Sequence, residues 1–119
     1  MKENASLIAP RKLKLLVTVV NREKAEFYTD FIQSFEVNFQ TSMNARGTAD
    51  KETLRLLGIG ETDKTVIFSV IREDLCDKAL SALEQKFKTI KNGKGIAYTV
   101  PMTGTVGVAI YRFLSNTPA

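Results

Sequence analysis

The chain has 119 residues, a formal charge of +4, 44% hydrophobic and 25% charged side chains. That balance belongs to one ordinary globular domain, long enough for a core but not for two. It contains no histidine and a single cysteine, Cys76, which excludes within one chain a Ser-His-Asp triad, a histidine general base, the usual zinc sites and an internal disulfide.

No apolar run approaches the roughly 20 residues that span a bilayer, and no signal-peptide pattern precedes Arg11. A lone cysteine fits a reducing compartment, so the expected setting is cytoplasmic. Residues 1–11 read as a short flexible arm and 12–119 as the domain.

Residues 12–20 begin alternating and become continuously apolar, the pattern of a central strand. Asn21 offers an N-cap, and 22–35 follows as a helix with Ala25, Tyr28, Phe31, Ile32 and Phe35 on one face. Phe27, Phe31 and Phe35 at helical spacing read as core. Over 36–44, Val37, Phe39, Thr41 and Met43 alternate with Asn38, Gln40, Ser42 and Asn44, a strand whose polar side meets water or the wall of a cleft. Residues 46–63 hold no long periodic element. Asp50 can cap one helical turn through Leu54 and Leu57, and a connection of this length is functional or mobile in a compact domain.

Residues 64–71 form a second nearly continuous apolar strand. Asp74 is placed to cap the next helix, with Asp77 in a capping-box-like position. Its apolar stripe is Leu75, Ala79, Leu83, Phe87 and Ile90, and Asn92-Gly93 is the expected stop. Ile96, Tyr98, Val100 and Met102 then alternate as a last long strand, and 108–114 is apolar enough for a short C-terminal strand. The order β-α-β, long loop, β-α-β is that of an α+β, ferredoxin-like split βαβ fold: an antiparallel sheet with both helices on one face. The uncovered face would carry Ile and Val side chains into water, so oligomerisation is expected.

Chemistry concentrates at two places. Lys86, Lys88, Lys91 and Lys94 lie within nine residues that contain no acid, and Gly93-Lys94-Gly95 combines bare amides with an ammonium, a suitable cradle for an anion. The plainer reading is a helix end followed by a turn, with lysines answering the helix dipole. Arg46-Gly47-Thr48 stands where the second strand opens into the long loop. Cys76 reads as a small buried hydrophobe.

On this plan, three strings resemble the PII nitrogen-regulatory protein superfamily, in a divergent branch. They are Leu16-Val17-Thr18-Val19-Val20-Asn21-Arg22, then Ala45-Arg46-Gly47-Thr48-Ala49 followed by Leu57-Gly58-Ile59, and Gly93-Lys94-Gly95-Ile96-Ala97-Tyr98-Thr99-Val100-Pro101. The resemblance implies a homotrimer with sheets facing inward, and a T-loop at 46–63 that addresses a target protein. It also implies adenine nucleotides in clefts between subunits, so ATP, ADP or AMP as effector, with no metal expected and no catalysis. Carried to matching positions, it assigns Arg46, Gly47 and Thr48 to the base of that loop and Gly93, Lys94 and Gly95 to the phosphate-holding B-loop.

Two departures follow. No tyrosine occurs between Tyr28 and Tyr98, so uridylylation at the family's T-loop tyrosine is not expected. The family's C-terminal arginine pair is missing from Thr103-Gly104-Thr105-Val106-Gly107. Its loss removes charge-assisted contacts worth about 1.5–3 kcal/mol each, which leaves ADP, AMP or another small anion such as bicarbonate as plausible as ATP.

Two alternatives share the fold. A ferredoxin-like RNA-binding module needs exposed aromatics on the third strand, where only Phe68 occurs. A small acylphosphatase-like enzyme needs a glycine-rich cradle after the first strand, where the chain reads Asn21-Arg22-Glu23-Lys24.

Overall fold

The protein is described by a computed structural model over residues 12–46, 52–53, 63–91 and 93–104. The expected arm at 1–11, most of the 46–63 loop and the expected strand at 108–114 lie outside these residues. Within the loop, Glu52 and Thr53 are helical.

The elements are β1 (Leu13–Asn21), a 3-10 turn (Arg22–Lys24), α1 (Ala25–Gln33), β2 (Gln40–Ala45), β3 (Lys64–Arg72), α2 (Glu73–Thr89) and β4 (Gly95–Pro101). The sheet order is β2-β3-β1-β4, and every neighbouring pair is antiparallel. Each βαβ half is therefore split by a strand of the other half, with β3 between β1 and β2 and β1 between β3 and β4. This is the ferredoxin-like arrangement. Neither half can complete its sheet alone.

Register fixes the faces. Leu16, Thr18 and Val20 lie opposite Ser69, Ile67 and Thr65, on the side where α1 brings Tyr28 and Ile32 and α2 brings Cys76, Ala79 and Leu83. All of these are buried, and each large apolar side chain among them contributes about 1.5–3 kcal/mol. The opposite face carries no helix among the described residues and is almost as apolar. Leu15, Val17 and Val19 pair there with Val70, Phe68 and Val66. Apolar runs on both central strands thus have two destinations, one inside the protomer and one facing away from it.

Several local readings are corrected. β2 begins at Gln40, not Glu36: Glu36 adopts φ 60° and closes the turn after α1, while Val37 drops into the core. Only from Phe39, whose carbonyl accepts from the Val70 amide at 3.1 Å, does the chain join the ladder. Asp74 is not the cap of α2, because the helix already starts at Glu73 and Arg72 occupies the N-cap with no side-chain cap bond. The Asp74 carboxylate instead receives Arg72 Nε and Nη2 at 3.1 and 3.0 Å.

At its other end α2 stops at Thr89, with Ile90 extended, so no glycine caps it. Phe27 is not core. It lies on the helical surface, its ring parallel to that of Phe31 with Lys86 Nζ over both.

Candidate functional site

Because β1 and β2 run one way and β3 and β4 the other, one end of the sheet collects four chain segments. These are Asn21-Arg22 leaving β1, Ala45-Arg46 leaving β2, Asp63-Lys64 entering β3 and Gly93-Lys94-Gly95 entering β4. Of the residues singled out by sequence, Arg46, Gly93, Lys94 and Gly95 all come to this end. Gly47 and Thr48 lie outside the described residues. Arg46 and Gly95 nevertheless sit on opposite edges, three strand spacings or about 14 Å apart.

The two glycines have packing reasons to be glycine. A Cβ on Gly95 would stand 2.5 Å from the Val19 carbonyl oxygen and 2.9 Å from Val20 Cγ1, and backbone cannot yield as a flexible side chain would. A Cβ on Gly93 would meet Ile90 Cβ at 2.8 Å and the Tyr28 hydroxyl at 3.0 Å. Neither glycine occupies the left-handed region, so close approach, rather than positive φ, accounts for both. The Tyr28 hydroxyl donates to the Gly93 carbonyl at 2.6 Å, and burial raises its pKa. The Gly93 amide donates to the Ile90 carbonyl at 3.0 Å. This ties the segment before β4 to the core and leaves Lys94 exposed at its tip.

Lys64 is the residue that sequence reading missed. It is 2% exposed, its ammonium donates to Asn21 Oδ1, and burial lowers its pKa. Asn21 holds the N-cap position before the 3-10 turn but makes no side-chain cap bond. Next to it the Arg22 amide donates to the Asp63 carbonyl at 3.2 Å, and the Arg22 guanidinium meets the Asp63 carboxylate at 3.1 Å. The available signal was a lysine opening an apolar central strand, where neighbours on both sides leave little room for water.

Among the described residues, this end brings Arg22, Arg46, Lys64, Lys91 and Lys94 together with Asp63, whose carboxylate pairs with Arg22. A surface with an excess of cations attracts anions. Among the described residues no cluster of three or more His, Cys, Asp or Glu could hold a metal ion. Cys76 lies at the other end of the molecule, with its thiol donating to the Arg72 carbonyl at 3.5 Å. Burial, the largest influence, raises its pKa, as befits a packed hydrophobe.

No family model matches the chain, and no curated protein matches its sequence. Solved structures do match. CPII from Thiomonas intermedia, bound to ADP, AMP and acetate, aligns over 85% of this chain and 94% of its own, with 20% identity and a TM-score of 0.64. The same protein, described as a nitrogen regulatory PII-like protein and bound to ADP, AMP and bicarbonate, aligns over 80% and 97% with 18% identity and a TM-score of 0.56. A Bacillus cereus protein related to NIF3 matches over 79% of this chain but 26% of its own, with 14% identity and a TM-score of 0.59.

The chain has the PII-like fold. In that fold, the end of the sheet that gathers Arg46, Lys64 and Lys94 is where the long 46–63 connection leaves and returns. No helix among the described residues is long and apolar enough to cross a membrane.

Proposed function

We propose that the chain is a divergent, non-enzymatic member of the PII-like superfamily. It works in the cytoplasm as a homotrimer that binds a small anionic effector, an adenine nucleotide, at the cationic end of its sheet. The observation that carries this reading is the gathering of Arg46, Lys64 and Lys94 at one end of a fold shared with CPII, whose structures hold ADP and AMP. The glycines lend less support than the lysines, since packing already explains them.

Effector binding at the roots of the 46–63 loop biases the surface that the loop presents to a partner protein. Nitrogen metabolism is the process suggested by the description of CPII. The open apolar face is what a trimer would bury.

Calorimetric titration with ATP, ADP, AMP, GTP and bicarbonate, with native mass measured in the same buffer, tests this. Adenine-selective binding by a trimer, lost in Lys94→Ala and Arg46→Ala, is expected. A well-folded trimer that binds no nucleotide would remove the nucleotide reading and turn attention to bicarbonate, while a monomer would remove the shared assembly.

A further inference from the structure

Lys64 has a chemistry that packing does not use. It opens β3 between Asn21 of β1 and Ala45 of β2, and among the described residues it is the one charged side chain that is buried. Its nitrogen donates to Asn21 Oδ1, a neutral acceptor, and among the described residues it joins no ion pair. An ammonium carries three donors, so a single amide oxygen leaves most of the cost of removing its charge from water unanswered. The uncharged amine suits this position better, in keeping with the lowered pKa, and an uncharged amine is a nucleophile.

What surrounds the amine selects the electrophile. Carbonyl compounds and acyl donors need a proton donor to expel water or a leaving group. The chain has no histidine, and the carboxylate of Asp63, next to Lys64, is held by Arg22. The position also favours a small uncharged reactant. Asn21 is half-buried and its neighbours Arg22 and Asp63 are exposed, which sets the amine just beneath the surface. Carbon dioxide meets all of these demands, since it is small and apolar and adds to an amine without losing any group.

We infer that Lys64 is a carbamylation site, where Nζ adds reversibly to dissolved carbon dioxide. The nitrogen lone pair forms a bond to the carbon, one C=O pair moves onto oxygen, and an N–H proton passes to water. The product is –NH–COO⁻, and nothing is oxidised or reduced. The new carboxylate finds a surrounding that suits it better than it suited the ammonium. The Asn21 amide offers two N–H donors beside its oxygen, and Arg22, Arg46, Lys91 and Lys94 share this end of the sheet. Carbamylation thus replaces a cation by an anion where the 46–63 connection re-enters the sheet, which makes carbon dioxide a direct input to that connection. The modification stands whether or not the protein binds a nucleotide.

Trapping tests this on the unaltered protein. The chain is equilibrated with ¹³C-labelled bicarbonate and carbon dioxide, treated with triethyloxonium, which converts a carbamate to its stable ethyl ester, then digested and read by mass spectrometry. A labelled ethyl carbamate on Lys64 is expected, with none on Lys88, whose side chain is 64% exposed and therefore stays protonated. An unmodified Lys64, with a peptide α-amine in the same tube trapped as its carbamate, would overturn the site. Labelled adducts spread equally over Lys64 and Lys88 would overturn it too, since burial would then select nothing. As a second reading, the ¹³C carbamate resonance of the folded protein should vanish in Lys64→Met and survive in Lys88→Met. A resonance that persists in folded Lys64→Met would assign the chemistry to another amine.

Discussion

A single carbon decides what Gly95 is for. The Val19 carbonyl lies 2.5 Å from where its Cβ would be, so Gly95→Ala must push β4 away from β1. Overpacking of this kind costs about 1–3 kcal/mol, to be read from the denaturant midpoint, and a change within experimental error would return the glycine to a purely ligand-facing role. The sequence announced Gly93-Lys94-Gly95 but not the reason for Gly95, because the atoms that come nearest its missing Cβ belong to Val19 and Val20, some seventy-five positions away, and no local pattern encodes them.

Lys64 teaches the same lesson with the sign of function. Burial lowers its folded-state pKa below the ordinary lysine value of 10.5. Between those two values the unfolded chain holds a proton that the folded chain releases, so stability rises with pH across that window. Below the window the penalty is fully present. Lys64→Met is therefore expected to stabilise the protein most at neutral pH, with the advantage shrinking as pH climbs toward the ordinary lysine value. A lysine kept at a cost to stability, at a cationic site end, is the trade expected of a functional group. Thermal melts across pH, alongside ADP titration of the variant, separate the two effects. Loss of stability at neutral pH would mean that Lys64 is simply structural.

Elements were legible wherever period and burial agree. β1, β3 and the body of α2 follow from apolar runs and a 3.6-residue stripe, and their placement within a residue or two of the sequence expectation reflects that. Their ends were not legible, because distant partners decide them. Asp74 has the chemistry of a cap, yet Arg72 takes its carboxylate and also reaches Glu36 Oε1 at 3.1 Å. Asn21 has the chemistry and position of a cap, yet the Lys64 ammonium takes its side-chain oxygen.

The start of β2 is deferred by Glu36, a non-glycine residue at φ 60°, a conformation that costs about 1–2 kcal/mol for an L side chain. Both Glu36→Ala and Glu36→Gly lose the bond to Arg72, but only glycine accepts that backbone without strain. Glu36→Gly should accordingly be more stable than Glu36→Ala by about 1 kcal/mol, less a few tenths for glycine's freedom in the unfolded chain. Equal midpoints for the two variants would mean that the turn relaxes and that strain does not set where β2 begins.

At the scale of the whole molecule, the apolar open face ties fold to function. Val17 and Val70 are buried there while Met43 and Tyr98 toward the edges stay exposed, so the face is incomplete in the direction of the strand edges. Arg46 follows one of these edge strands and Lys94 precedes the other. Assembly and effector binding should then fail together when the face is spoiled far from either residue.

Phe68→Glu places a charge on the central strand β3, opposite Val17 on the open face, and touches no residue of the helix-side core. Sedimentation should show single chains where the wild type is an oligomer, circular dichroism should show the secondary structure retained, and ADP binding should be lost although Arg46, Lys64 and Lys94 are all present. Monomers that bind ADP with wild-type strength would establish that one chain suffices for the site. An unchanged oligomer would place the interface elsewhere, since a carboxylate cannot be buried against Val17 without a partner at acceptable cost.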